Sequence, residues 1–98
     1  MQQITKQQII DILLSDKGSR HVILFDSTKQ IRNFSENIGY ELKRQPTFSL
    51  DMNVRYRVTP NMIQVNNTKI FFGLKKDELL LQSRYNEQEI FYYAEGNN

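Results

Sequence analysis

The chain has no cysteine, no tryptophan, one histidine, one alanine, two prolines and four glycines in 98 residues. Without cysteine, disulfide frameworks, thiol nucleophiles and Cys-based zinc sites are excluded together. With His21 as the sole imidazole, the common His-containing zinc arrangements go as well, so no metal is expected. The same absence of thiols suits a reducing compartment. No apolar run approaches the roughly 18 residues that a membrane helix needs. The N-terminal stretch, with Gln2, Gln3, Gln7 and Gln8, lacks the layout of a signal peptide. We therefore expect a cytoplasmic protein with no membrane partner. Gly18, Gly39, Gly73 and Gly96 are too far apart to build a P-loop or a dinucleotide fingerprint, so no nucleotide cofactor is expected. The length allows one small domain and no second core.

Catalysis is also poorly provided for. Nucleophilic hydrolysis needs a nucleophile, a base and an orienting group within reach, and His21 stands where a core strand begins, the place of a structural histidine. Metal-dependent nuclease chemistry needs converging carboxylates. Asp26 and Asp51 are the candidates, but Asp26 also suits the approach to a helix N-terminus, where the dipole favours it. We expect a protein that is not an enzyme. Glutamine and asparagine are common, nine of each, and isoleucine occurs ten times. That bias is of the kind seen in AT-rich genomes of low-GC bacteria and their phages.

Charge is unevenly spread. The total is only +2, yet residues 1–76 carry 12 Lys or Arg against 6 Asp or Glu. Residues 77–98 carry Arg84 against Asp77, Glu78, Glu87, Glu89 and Glu95. A basic body with an acidic end points to a nucleic-acid partner or an interaction tail; the competing reading is charge scattered for solubility.

The elements follow from periodicity. Thr5 to Gln8 is a capping box, with Ile4 and Ile9 as a hydrophobic staple, and Ile9, Ile10, Leu13 and Leu14 form the stripe of a helix that Gly18 is suited to end. His21 to Phe25 is a continuous apolar run, the pattern of a central strand covered on both faces. Ser27 to Gln30 repeats the capping logic, and Ile31, Phe34 and Ile38 predict a second helix over residues 28–38 with Gly39 at its stop. From Phe48 to Val58 the even positions are apolar and the odd ones polar, which predicts a long strand, or two strands in continuous register, with Arg55 and Arg57 on the wet face. Asn66-Asn67 fits a two-residue turn with positive φ at both positions, setting Val65 opposite Thr68, Gln64 opposite Lys69 and Ile63 opposite Ile70. Residues 77–84 read either as a short helix or as a strand, and Ile90 to Tyr93 as a late strand.

The fold expected is α+β: two N-terminal helices flanking a short strand, packed on an antiparallel β-meander. Its sheet face, with Phe48, Leu50, Met52, Val54, Tyr56, Val58, Ile63, Ile70 and Phe72, is expected to meet Ile9, Leu13, Ile31, Phe34 and Ile38. The segment order (Val22 to Phe25, a helix, Asn67 to Leu74, then Ile90 to Glu95) resembles the core of phage DNA-packaging ATPases and related RecA-like motors. Ile90 to Glu95 is similar to a Walker B strand. Ala94 stands where the metal-binding Asp would be and the phosphate loop is absent, so the resemblance implies neither membership of that family nor its activity.

Two binding surfaces are expected. Arg55, Arg57, Lys69, Lys75 and Lys76 would form a basic sheet face that contacts phosphates, extended by Lys43 and Arg44; the plainer reading is a solvated face. Tyr85, Tyr92 and Tyr93, with Glu87 and Glu89, would form a partner-binding end if Ile90 to Tyr93 is an exposed edge strand. The plainer reading there is an edge guarded by acidic residues. The function expected is a small accessory or inhibitory protein that binds nucleic acid or a nucleic-acid-handling protein. The alternative is a protein-interaction module or homodimer using the C-terminal strand.

Overall fold

The computed structural model describes residues 2–15, 17–46 and 55–94. The chain runs β1 (Gln2–Ile4), α1 (Lys6–Leu14), β2 (Arg20–Phe25), α2 (Thr28–Lys43), β3 (Tyr56–Val58), β4 (Met62–Val65), β5 (Thr68–Leu74), α3 (Glu78–Leu81) and β6 (Ile90–Tyr93). Single 3-10 turns at Lys75–Asp77 and Glu87–Glu89 flank α3. The class is α+β, but the sheet is mixed and not a meander. Its six strands lie in the order β1-β6-β2-β5-β4-β3. The first four are parallel to one another, and the antiparallel pairings are β5 with β4 and β4 with β3, so β4 alone of the six runs against the rest. No helix among the described residues is long and apolar enough to cross a membrane.

Local signals set the helix starts. Thr5 caps α1 by accepting from the Gln8 N–H at 3.2 Å, while Gln8 Oε1 accepts from the Thr5 N–H at 2.8 Å. Ser27 Oγ accepts from the Gln30 N–H at the head of α2, and Gln30 Oε1 reaches back to the Asp26 N–H. The expected stops are corrected. Helix α1 ends at Leu14, leaving Gly18 in the following loop at φ +68°. Helix α2 runs through Gly39 to Lys43. Glycine in a helix interior costs about 1 kcal/mol relative to alanine, and full burial of Leu42 one turn on outweighs it.

Both long helices cover one face of the sheet. Ile9, Leu13, Ile31, Phe34, Ile38 and Leu42 pack there on Ile23, Phe25, Ile63, Val65 and Ile70. Phe25 is fully buried, with ring centroids of Phe34, Phe72 and Tyr93 at 5.3, 5.7 and 5.0 Å. The expected strand His21 to Phe25 is thus confirmed as central. Its other face holds a smaller cluster of Val22, Leu24 and Ile90, covered by Leu81 and Tyr85 from the segment between β5 and β6. Gly73 permits that cover: a Cβ there would meet Leu81 Cδ1 at 3.0 Å and Leu24 Cδ2 at 3.2 Å.

Other expectations are settled in part. The hairpin register is as read, Val65 opposite Thr68 through Ile63 opposite Ile70, but Asn66 alone takes positive φ, at 52°. Residues 47–54 of the expected long strand, with Phe48, Leu50, Asp51, Met52 and Val54, lie outside the described residues. Tyr56, expected on the buried side, is 40% exposed near the tip of α2, its ring under Lys43 Nζ at 5.6 Å. The helix expected over residues 77–84 is only one turn long. Strand β6 is not an edge: β1 pairs on one side of it and β2 on the other. The short, polar β1 gave no recognisable strand signal and was missed.

Candidate nucleic-acid interface

Cross-strand partners point to the same side of a sheet, so register alone assembles a surface. Arg57 of β3 pairs with Gln64 of β4, Gln64 with Lys69 of β5, and Lys69 with Arg20 of β2. These four residues form one row on the face away from α1 and α2. At about 4.8 Å between strands, Arg57 and Lys69 are about 10 Å apart at the Cα level. The next row toward the middle of the sheet is Met62, Phe71 and Val22. Segment 78–89 covers Val22 and reaches as far as Phe71 and Gly73 of β5 but not β4 or β3, so Arg57 and Lys69 are exposed and Met62 and Phe71 half-buried.

The turn Asn66–Asn67 fixes the outer strand of this surface. Asn66 donates its N–H to the Arg55 carbonyl at 2.7 Å and accepts the Arg55 N–H on its side-chain oxygen at 3.1 Å. Arg55 therefore precedes Arg57 on the same side of the strand. Lys69 N–H donates to the Ser19 carbonyl at 3.0 Å, which brings the loop before β2, with exposed Lys17, to this end of the sheet.

Arg20 marks the boundary of the open half. Its guanidinium lies 4.8 Å from the Tyr85 ring centroid, donates to the Arg84 carbonyl at 3.0 Å and approaches Glu89 at 3.5 Å. Phe71 stands 6.3 Å from Tyr85, centroid to centroid.

Of the five expected cations, Arg55, Arg57 and Lys69 share this surface; Lys75 and Lys76 do not. Both follow the end of β5, six residues or more beyond Lys69, which is about 20 Å at strand rise. Lys75 there pairs with Asp26 at 2.8 Å and lies 5.2 Å from the Tyr92 ring. Lys43 and Arg44, at the end of α2, belong to the helix-covered side. The tyrosines of the acidic end are engaged internally. Tyr92 donates its hydroxyl to Glu78, a bond that raises the phenol above its usual range, and Tyr93 packs between Phe25 and Phe34. Glu89 is taken by Arg20, and Glu87 is exposed.

Phe71, Arg20 and Gln64 were not singled out in the sequence. Strand parity sets Phe71 beside Lys69, and the hairpin register already opposed Gln64 to Lys69, so both were readable. Arg20 joins only through the parallel pairing of β2 with β5, for which no local signal exists. Among the described residues no three His, Asp or Glu side chains gather to hold a metal. An open cleft of about 510 Å³ between α2 and the β3–β4 link, lined by Ile31, Arg32, Glu36, Val58 and Pro60, is on the helix side and separate from the row. No family model, curated protein or solved structure matches the chain.

Proposed function

We propose that the protein is a small, non-enzymatic nucleic-acid-binding domain that uses the open half of its second sheet face. The observation that carries this reading is the row Arg57–Gln64–Lys69–Arg20, in register across four strands, with exposed Arg57 and Lys69 in its outer part, no helix over that part among the described residues, and Arg20, held by Glu89 and the Arg84 carbonyl, closing its inner end. Guanidinium and ammonium groups so spaced suit successive phosphates, while the Gln64 amide between them donates to the Asn66 carbonyl at 2.8 Å. In this reading Lys75 and Lys76 lie outside the footprint.

The test is fluorescence anisotropy with short DNA and RNA oligonucleotides over a salt series. Replacing Arg57 and Lys69 by Gln is expected to weaken binding for every sequence and to flatten the plot of log affinity against log salt by about 0.7–0.9 per lost phosphate contact. A doubly substituted protein with unchanged affinity and slope would refute the assignment. A second reading, association through segment 78–89, is favoured by Leu79 and Leu80, which are 82% and 60% exposed beside the acidic residues. It is the reading left standing if the wild type binds no nucleic acid at low salt. The form of that reading in which β6 pairs with a partner strand does not fit, since β6 has strands on both sides.

A further inference from the structure

Resting on that reading, we infer that the nucleic acid bound is single-stranded, DNA or RNA, with a base stacked on Phe71. Three features of the surface carry this. First, Phe71 follows Lys69 by two residues on one strand, so it stands on the same face, about 7 Å further along β5. A phosphate held at Lys69 leaves its base within reach of that ring, the pairing of cation and aromatic that single-strand binders use. Secondly, Met62 is the cross-strand neighbour of Phe71 on the open side, and it offers a flexible apolar flank to a base lying flat.

Thirdly, the open area is narrow and walled. From β5 to β3 it is about 10 Å across. On the β2 side it ends where Leu81 and Tyr85 rise over Val22, Leu24 and Gly73. The major groove of B-DNA alone is about 12 Å wide and is entered by a protruding helix or ribbon. The exposed row here lies on a sheet face, from the outermost strand β3 to β5, and not on a protruding helix, so it is not built to enter a duplex groove. A single strand lies along the shelf, its backbone on Arg57 and Lys69 and its bases turned inward to Phe71 and Met62.

The experiment compares a 12-nucleotide DNA strand, the RNA of the same sequence, and the DNA duplex, each labelled for anisotropy. The proteins are the wild type, Phe71→Leu, Phe71→Tyr and Lys69→Gln, each checked by circular dichroism and thermal melting. Single strands are expected to bind at least ten-fold tighter than duplex. Phe71→Leu, which keeps an apolar side chain against Tyr85, is expected to lose about 5- to 100-fold on single strands. It should leave duplex affinity and the salt slope unchanged, with Phe71→Tyr binding as the wild type does. The relative affinities of the DNA and RNA strands identify which of the two is the ligand. Duplex binding equal to or tighter than single-strand binding would overturn the inference, as would an unchanged affinity in a folded Phe71→Leu protein. In either case the response of Lys69→Gln to salt still reports on the basic row. Absence of all binding at low salt overturns the row and the inference together.

Discussion

Gly73 gives the sharpest test of how the second sheet face is covered. Its φ is not in the left-handed region, so the requirement for glycine is one of space and not of backbone conformation. An added Cβ would stand 3.0 Å from Leu81 Cδ1 and 3.2 Å from Leu24 Cδ2, against an optimum of about 3.5–4.0 Å for carbon pairs. Leu24 is fully buried in the middle of the sheet and has nowhere to go. Leu81 sits on a helix of a single turn, so the relief must come from α3. For Gly73→Ala the shift needed is about 0.5 Å, and its cost is offset by the about 0.4–1 kcal/mol gained from a stiffer unfolded chain. The net change should be close to zero. Gly73→Val places two methyl groups where Leu81 packs and expels that side chain. Fully burying a leucine is worth about 1.5–3 kcal/mol, and Leu81 is only partly buried, so the expected loss is about 1–2 kcal/mol. For a domain of this size that corresponds to a fall in Tm of about 5–15 °C. Urea and thermal melts measure the loss. Hydrogen exchange at Gln82 and Tyr85, whose N–H groups donate to the Glu78 and Leu81 carbonyls, locates it. If the valine protein melts with the wild type, or if those two amides keep their protection, the packing argument is wrong.

Two further perturbations test other parts of the molecule. His21 is half-buried against Phe91, and burial holds its pKa below the usual 6.5 despite a partial opposing pull from Glu89. The unfolded chain therefore takes up the proton more readily, so the stability contributed by neutral His21 is complete above about pH 6.5 and is lost as the pH falls below it. His21→Phe should flatten the stability profile between neutral and mildly acid pH, read by urea melts at several pH values; an unchanged slope counts against it. At the hairpin turn, Asn66→Gly keeps the positive φ but loses the side-chain acceptor for the Arg55 N–H, at a cost of about 0.5–1.5 kcal/mol. Asn66→Ala loses that bond and adds the backbone strain of about 1–2 kcal/mol, so it must be the less stable of the two in a urea melt.

What the sequence displayed was whatever its own neighbours decide. Capping boxes at Thr5 and Ser27, the continuous apolar run of β2 and the two-residue register at Asn66-Asn67 depend on residues a few positions apart. Pairing between distant strands does not. The alternation at Tyr56 to Val58 reads equally as one strand of a meander or as the outer strand of a mixed sheet, and the choice is made by β5 lying parallel to β2, 49 residues away at the Arg20–Lys69 pair. Strand β6 looked like an edge because Ile90 to Tyr93 is flanked by glutamates. It is interior because the polar stretch Gln2–Ile4, which has little strand character of its own, lies alongside it. The placing of the cations follows the same rule. Proximity in sequence joined Lys75 to Lys69, whereas the length of β5 carries them to opposite ends of the sheet.

The division of charge along the chain gains a spatial meaning from this topology. The acidic C-terminal segment crosses the sheet from β5 to β6 and in doing so covers the parallel half of the second face. The hairpin and β3, which lie on the other half, belong to the basic part of the chain. Across the sheet the two parts are joined by an ion pair in which Glu89 approaches Arg20 at 3.5 Å. A phosphate arriving at the Arg57–Lys69 row would have Arg20 as its next cation inward, but Arg20 is already occupied by Glu89, the Arg84 carbonyl and the face of Tyr85. The acidic segment therefore limits how far a polyanion can extend across the sheet. It confines the attractive surface to the outer three strands, where the half-buried apolar side chains Phe71 and Met62 stand.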